Sequence, residues 1–538
     1  MSLFKKKRKI VIQPSPPSKS EPKSVEESSS LKKSLKENIQ YIKKTLGESA
    51  DIIVREVKMG TEGNIKVGII YTDGLSNSEN LQNFIMETLM MDIKKTDIES
   101  NLTADSPVLT LFKDFALTVG ELKDVSEFDQ LFTSLLSGDV ILLIDGFSSG
   151  FIIGNKYWES RGVTEPTAQT VIRGPREGFS ESLRVNTALV RRIIKDENLW
   201  MISKEVGRRS KTNISIMYIN GVAEQNVVDE VCNRMDRIDI DGIMESANIE
   251  EFIQDSQLTV FPTVFNTERP DTVAAGLLEG RIAILVDGTP FVLMVPALFT
   301  EFFQSSEDYY QRTVMASLIR ILRFVAFGVS VLIPGLYLSI ITFHHEIIPP
   351  ALLISLAAQR EGVPFPAFVE AIIMEITFEI LREAGLRMPR AIGSAMSIVG
   401  AFVIGTAAVE AGFISAAMVI VVSITAISSF VSPSYDIAIA GRILRFIFMA
   451  LAASFGLYGI LIGFIALVLH VCSLSSFGVP YMTPLAPLNL TGLKDSIVRF
   501  PIWDLLTRPP YISKNRVRQR RTKVNFKKGS HSKRSQNG

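Results

Sequence analysis

Between residues 318 and 472 the chain is built of apolar runs that water does not tolerate, and nothing else in the sequence constrains its fold as strongly. About 20 consecutive apolar residues cover the hydrocarbon of a bilayer. Runs of that kind occur at 321–343, 391–410, 412–431 and 443–472, whereas Lys, Arg, Asp and Glu crowd the first part. The mean hydropathy of +0.24, with 21% charged residues and a formal net charge of +1, therefore averages over two solvents. The expected fold class is a cytosolic α/β region followed by an all-α, multi-span transmembrane domain.

The start MSLFKKKRKI is basic with no apolar run behind it, so it is not a secretory signal, and the N-terminal region is expected to stay in the cytosol. Residues 1–34 have the Lys, Ser, Pro and Glu content of a disordered tail, either solvated or touching an anionic leaflet. Cys232 and Cys472 fall on opposite sides of the divide, which leaves no disulfide or thiolate metal framework.

The soluble part contains an internal repeat. KVGIIYTDG (66–74) returns as NISIMYING (213–221), 147 residues on. LLSGDVILLIDG (135–146) returns as LLEGRIAILVDG (277–288), 142 residues on, each reading as a helix end, a Gly stop, a buried strand and an Asp-Gly turn. Helical patterns lie between the markers, at 80–91 and 127–136 in the first copy and at 226–238 and 249–256 in the second. Two duplicated α/β subdomains follow, at 35–155 and 212–300, joined by a linking segment at 156–211 with a charged amphipathic helix over 183–205. An amphipathic connector (301–317), the transmembrane domain (318–475), a C-terminal segment (476–513) and a basic disordered tail (514–538) complete the division. RGPREGF (173–179) is a Gly/Pro-shaped loop whose arginines either meet an acidic partner or are simply solvated. Asp145 and Asp287 read as turn formers rather than catalytic acids. No Walker motif, G-x-G-x-x-G, metal cluster or nucleophile–base pair is present, so no enzyme, cofactor, metal or nucleic-acid partner is expected.

The first span opens with Arg320 and Arg323, which the positive-inside rule places in the cytosol, and Pro334 is expected to kink it. The run 347–358 is too short to span. Pro349–Pro350 and Pro364/Pro366 bracket it, as for a re-entrant or interfacial helix. A helix over 367–383 then carries Glu375, Glu379 and Glu383 on one face, with Glu370 on another. Ionised groups at mid-membrane cost roughly 2.5–3.5 kcal/mol each, so these acids cannot face lipid. They are either an acidic membrane-edge lining that attracts cations or part of an interfacial helix, paired with Arg382, Arg387 and Arg390. On the 391–410 helix, Gly393, Ser394, Ser397, Gly400, Ala401, Ile404 and Ala408 share one side. That stripe suits close helix packing, or a pore lining with Val399, Val403 or Ile404 as a hydrophobic gate. The thirty residues of 443–472 exceed one straight crossing; one tilted helix fits the length better than a hairpin, yet the basic tail calls for the cytosol. His470 reads as an interfacial or packed histidine.

Longer stretches carry a family resemblance. NTALVRRIIKDENLWMISKEVGRRSKTNISIMYINGVA (186–223), DGTPFVLMVPALFTEFFQSSEDYY (287–310), ISLAAQREGVPFPAFVEAIIMEITFEILREAGLRMPRAIGSA (354–395), VVSITAISSFVSPSY (421–435), and SFGVPYMTPLAP with RPPYISKNR near the end resemble the A subunit of the GerA-type spore germinant receptors. The resemblance runs from about residue 40 to 520 and omits both tails. It implies a multi-pass protein of the inner spore membrane that acts with a transporter-like B subunit, which holds the nutrient site, and a lipoprotein C subunit. It further implies a homo-oligomeric ring, a pentamer, forming a nutrient-gated ion channel whose ion release starts germination. A non-conducting scaffold or signal transducer is the competing reading. A secondary transporter fits less well, because the membrane part shows no inverted repeat.

Overall fold

The two apolar markers that end in Asp-Gly fold as central strands of two antiparallel sheets. The structure, a computed structural model, describes residues 30–59, 65–77, 81, 122–157, 165–166, 169–387, 406–509, 511–515, 517 and 518. The first sheet holds β1 (Ile52–Met59), β2 (Ile65–Thr72), β3 (Leu122–Val125), β4 (Val140–Ile144) and β5 (Gly150–Ile153) in the order β1-β2-β4-β5-β3. The second holds β6 (Leu199–Val206), β7 (Thr212–Ile219), β8 (Phe265–Thr267), β9 (Ile282–Val286) and β10 (Val292–Val295) in the order β6-β7-β9-β10-β8. The permutation is the same, and so is the register. Val67 lies opposite Ile144 as Ile214 lies opposite Val286, and Val140 opposite Ile153 as Ile282 opposite Val295. A slip of one residue would turn each buried face outward, so identical register at three successive strand pairs marks one unit used twice.

The helices are α1 (Leu35–Thr45), α2 (Phe128–Leu135), α3 (Leu183–Ile193), α4 (Gln225–Asp236), α5 (Ser246–Ile253) and α6 (Pro270–Glu279), and α1 and α2 of the first copy return as α3 and α6 of the second. After α2 and α6, Gly138 and Gly280 take φ of 96° and 100°, the left-handed stop that glycine adopts without strain. Asp145 and Asp287 are turn residues with a second task. Asp145 Oδ1 accepts from the Leu35 amide at 2.9 Å, and Asp287 Oδ1 from the Leu183 amide at 3.1 Å, so each satisfies an orphan donor at the start of α1 or α3. Asn38 and Asn186 clasp the preceding chain alike, donating to the carbonyls of Lys32 and Ser180 at 2.6 Å. These matches correct the linking segment. The helix expected over 183–205 stops at Ile193, Asp196 turns the chain by accepting from Asn198, and β6 follows. Residues 183–206 are therefore the second copy's own first helix and edge strand. The helix expected at 80–91 lies, apart from Leu81, outside the described residues.

By its contacts the chain forms two compact units. The first takes its described residues from 1–42, 54–71 and 78–155; the second comprises the rest, with 43–53 and 72–77 included. Inside the second unit, the fully buried Arg191 reaches Asp51 Oδ2 at 2.6 Å and Ser49 Oγ at 2.9 Å.

The same unit continues into α7 (Thr313–Phe343), α8 (Pro350–Glu361), α9 (Ala367–Arg387), a helical turn (Ala408–Glu410), α10 (Ala416–Phe430) and α11 (Tyr435–Ser473), followed by the short β11 (Ser475–Ser476) and β12 (Val479–Pro480). Among the described residues, α7 and α11 are long and apolar enough to cross a membrane. The helix expected over 412–431 is α10, with 15 residues, about 22 Å at the usual rise. The pair α7 and α11 packs most closely where side chains are smallest. A Cβ on Gly335 would stand 3.2 Å from the Phe448 carbonyl oxygen, and one on Gly441 3.0 Å from the Phe327 ring.

α11 is a hairpin, not one tilted helix. Helical dihedrals break at Gly456 (φ 61°, ψ −144°). A Cβ on Gly463 would lie 2.7 Å from the Leu451 side chain and 3.1 Å from Phe448, residues that a straight helix would place about 18–22 Å away. The arms, 435–455 and 457–473, both end on the second α/β unit. Asn266 Nδ2 donates to Asp436 Oδ2 at 2.7 Å, and the Thr259 hydroxyl meets His470 Nε2 at 3.0 Å. Length alone favoured a single tilted helix because no signal but three scattered glycines marks the turn. The hairpin returns the chain to the second α/β unit, where its first arm begins.

Two outcomes follow. Gly456→Val forces a β-branched residue into a left-handed conformation and presses its side chain on Phe343 and His344, both within 3.1 Å of the added Cβ. Its thermal midpoint in detergent should fall by several degrees, and an unchanged midpoint would refute the turn. Beside Asp436, burial first and then the Asp436 and Glu245 charges push the Glu250 carboxyl from its ordinary 4.5 up to about 7, with Asn266 opposing. A raised carboxyl keeps its proton only in the folded state. Its stabilising share is thus complete below about pH 4.5 and lost as the pH rises through 7. Glu250→Gln should match the wild type at pH 5 and exceed its unfolding midpoint at pH 8; a difference that does not vary with pH would be inconsistent with this environment.

Candidate functional site in the helical bundle

A proline in α7 sets up the central site. Pro334 sits inside α7, buried, and has no N–H to give the Ser330 carbonyl four residues back. That carbonyl is taken by Arg445 of α11, whose Nε donates to it at 2.8 Å. Arg445 Nη1 also donates to Glu375 Oε2 of α9 at 2.5 Å. Both side chains are fully buried, so one guanidinium joins three helices in an apolar bundle. The helical run of α7 continues through Pro334, and the break recorded in this region is the one at Gly456.

The other acids of the stripe are paired as well. Glu379 meets Arg382 one turn on and Arg442 of α11 at 3.5 Å, and Glu383 meets Arg387 at 2.7 Å on an exposed face. Glu370, also fully buried, faces elsewhere: its Oε1 accepts from the Ser415 amide at 2.7 Å and from the Ser415 hydroxyl, which caps the start of α10. The stripe thus descends from a fully buried pair at Glu375 to a solvated one at Glu383. Of the expected partners, Arg382 and Arg387 serve; Arg390 lies outside the described residues.

A second charged layer closes the bundle where α7 begins. Asp308 Oδ2 accepts from Arg320 Nε at 2.8 Å and from Arg323 Nη1 at 2.9 Å. Arg320 Nη1 also reaches Asp495 Oδ1 at 3.1 Å, and Arg499 Nη1 donates to the Asp308 and Gln311 carbonyls at 2.9 and 3.0 Å. The Arg320 and Arg499 guanidiniums both lie 5.3 Å from the centroid of the Tyr309 ring. The arginines read from sequence as free topology markers are therefore buried ion-pair partners.

Among the described residues no set of three or more His, Cys, Asp or Glu could hold a metal ion. Sequence reasoning missed Arg445, Asp308 and Asp495 as members of the site. A signal was available for the first, since an arginine inside an apolar run must find a partner; none existed for the aspartates, which lie 12 and 175 residues from Arg320. The pore or gate candidates Gly393, Ser397, Val399, Gly400, Val403 and Ile404 lie outside the described residues. In the RGPREGF loop, Arg173 and Arg176 are exposed, Pro175 gives its carbonyl to Arg269 Nη2 at 2.9 Å, and Phe179 enters the core.

The model of the Bacillus/Clostridium GerA spore germination protein family matches residues 40–511. The chain belongs to this family, the A subunits of spore germinant receptors. It is 47% identical to spore germination protein KA of Bacillus subtilis (strain 168), over 90% of this chain and 88% of that one. It is 43% identical to the B. subtilis membrane protein YfkQ, over 88% and 90% of the two chains. It is 37% identical to the Bacillus cereus spore germination protein GerLA, over 90% and 96%. A crystal structure of the N-terminal domain of the A subunit of the Bacillus megaterium spore germinant receptor GerK3 aligns with 51% of this chain and 98% of its own, at 40% identity and a TM-score of 0.41.

In this family member the Arg445–Glu375 tie makes a direct prediction. Arg445→Leu leaves Glu375 charged and unpaired in the bundle and should cost about 3–5 kcal/mol of stability. Arg445→Leu with Glu375→Leu should recover most of that, because the replaced pair then packs as apolar volume. Thermal unfolding of the purified protein in detergent decides it: a single variant no less stable than the double would disprove the pairing.

Proposed function

We propose that this chain is the membrane-spanning A subunit of a nutrient-responsive germinant receptor in the inner spore membrane, and that copies of it assemble into a ring, a pentamer, that conducts ions. Membership of the GerA family supports the role in germination. The observation that favours a bundle with a function beyond anchoring is the buried Glu375–Arg445 pair, with the partly buried Glu379 and Arg442 beside it. A plain anchor has no use for groups that cost this much to bury. In this reading the Gly393–Ile404 helix lines the pore, Val399, Val403 and Ile404 form the gate, and Glu379 and Glu383 sit at its acidic edge. A nutrient bound by a B subunit, with a lipoprotein C subunit alongside, opens the gate only by binding the open state more tightly than the closed one.

The full chain in potassium-loaded liposomes tests this. Val403→Ala should release ions without nutrient, and wild type should hold them. Variants that assemble normally but stay closed would discard the gate assignment. An absence of flux under every condition, with nutrient and partner subunits present, would leave a non-conducting scaffold.

A further inference from the structure

The C-terminal segment leaves the second α/β unit and returns to it, and the loop between carries side chains unsuited to water. It departs after β12, where the Tyr481 carbonyl accepts from the Phe299 amide at 2.9 Å. It returns where Arg508 Nε donates to the Leu278 carbonyl at 2.7 Å and the Ser513 hydroxyl to that of Val222 at 2.9 Å. On the way it is zipped along the first turns of α7. Ser317 Oγ donates to the Arg499 carbonyl and accepts from its amide, both at 3.1 Å, and Arg320 holds Asp495. Yet Leu488, Leu490, Ile502 and Trp503 are 69%, 73%, 55% and 51% exposed, and Val498 and Phe500, on either side of Arg499, are also exposed. Beside them the outer flank of α7 exposes Val314, Leu318 and Leu322. An apolar surface this dense on one short loop marks something that covers it.

We infer that residues 488–503 form an interfacial strap, which lays Leu488, Leu490, Phe500 and Trp503 into the headgroup boundary of the membrane that α7 enters. The inference rests on the membrane reading above. Three observations select lipid as the occupant. The strap is bonded to the first turns of α7, the helix that leads into the bundle, and those turns expose apolar residues of their own. It carries Trp and Phe, with Lys494 over the Phe500 ring, and aromatic belts with snorkelling lysines belong at this depth. The sequence that follows, residues 514–534, holds ten Lys and Arg and no Asp or Glu, which complements an anionic leaflet.

The test uses the full chain with Trp158→Phe and Trp200→Phe, leaving Trp503 as the sole tryptophan, in vesicles containing phosphatidylglycerol. Bromines placed on the lipid chains near the headgroup should quench Trp503 more than bromines near the bilayer centre, and aqueous acrylamide should quench it weakly. Strong quenching by acrylamide with none by lipid would overturn the strap. Quenching by neither, the mark of a second copy or a protein partner on this surface, would overturn it too. A companion protein in which Trp503→Phe is joined by Ile465→Trp, on the exposed face of the second hairpin arm, separates the two readings. Lipid quenching there but not at Trp503 removes the strap alone; no lipid quenching at either removes the membrane reading.

Discussion

A missing N–H at Pro334 organises the helical half of this protein. The proline leaves the Ser330 carbonyl without its intrahelical donor, in surroundings where an unsatisfied polar group is expensive. Arg445 supplies the donor from another helix and brings a charge that must itself be neutralised, which Glu375 does from a third. The depth and rotation of α7, α9 and α11 are thereby set by one guanidinium with fixed fork geometry. The close approach this demands is possible because Gly335 and Gly441 present no side chain between α7 and α11. A lysine at 445 could not offer two donors in a plane to two different helices.

The soluble part was legible in the sequence because its information is local. Buried strands such as 140–144 and 282–286, each closed by Asp-Gly, announce themselves by apolar continuity and turn chemistry. Their constant spacing exposed the duplication before any pairing was known. What escaped was each repeat's opening. β6 reads LWMISKEV, an edge strand whose adjacent charges Lys204 and Glu205 fall on opposite faces, and beside the arginines of α3 it passes for a continued amphipathic helix. Its true partner, β7, is told only by pairing.

The helical part was legible in composition and illegible in its contacts. Runs of apolar residues identified α7 and α11, and the acids of α9 are expected to face protein, water or the interface; Glu375 and Glu379 meet arginines of α11. Nothing local says that Glu375 belongs to Arg445, 70 residues on, or that Arg320 belongs to Asp495. Nor does a single glycine announce that α11 reverses, since Gly456, Gly459 and Gly463 look alike. Only Gly456 takes a left-handed φ, whereas Gly459 and Gly463 serve the close packing of the two arms.

The two charged layers are unequal, and the inequality says where such a bundle can rearrange. Near the start of α7, Arg320 holds two carboxylates and backbone carbonyls, and Arg323 and Arg499 reinforce the same aspartate and its neighbours. In the middle, Arg445 has one carboxylate and one carbonyl. A tie made by one arginine and one carboxylate loses fewer partners when it re-pairs than a layer shared among five arginine and aspartate side chains. Both hairpin arms are tied at their ends to the second α/β unit by Asn266 and Thr259, and the Arg445 tie lies between these ends. A two-state rearrangement would then pivot about the firm outer layer and exchange partners at Arg445, where the carbonyl freed by Pro334 remains an acceptor that α7 itself cannot fill.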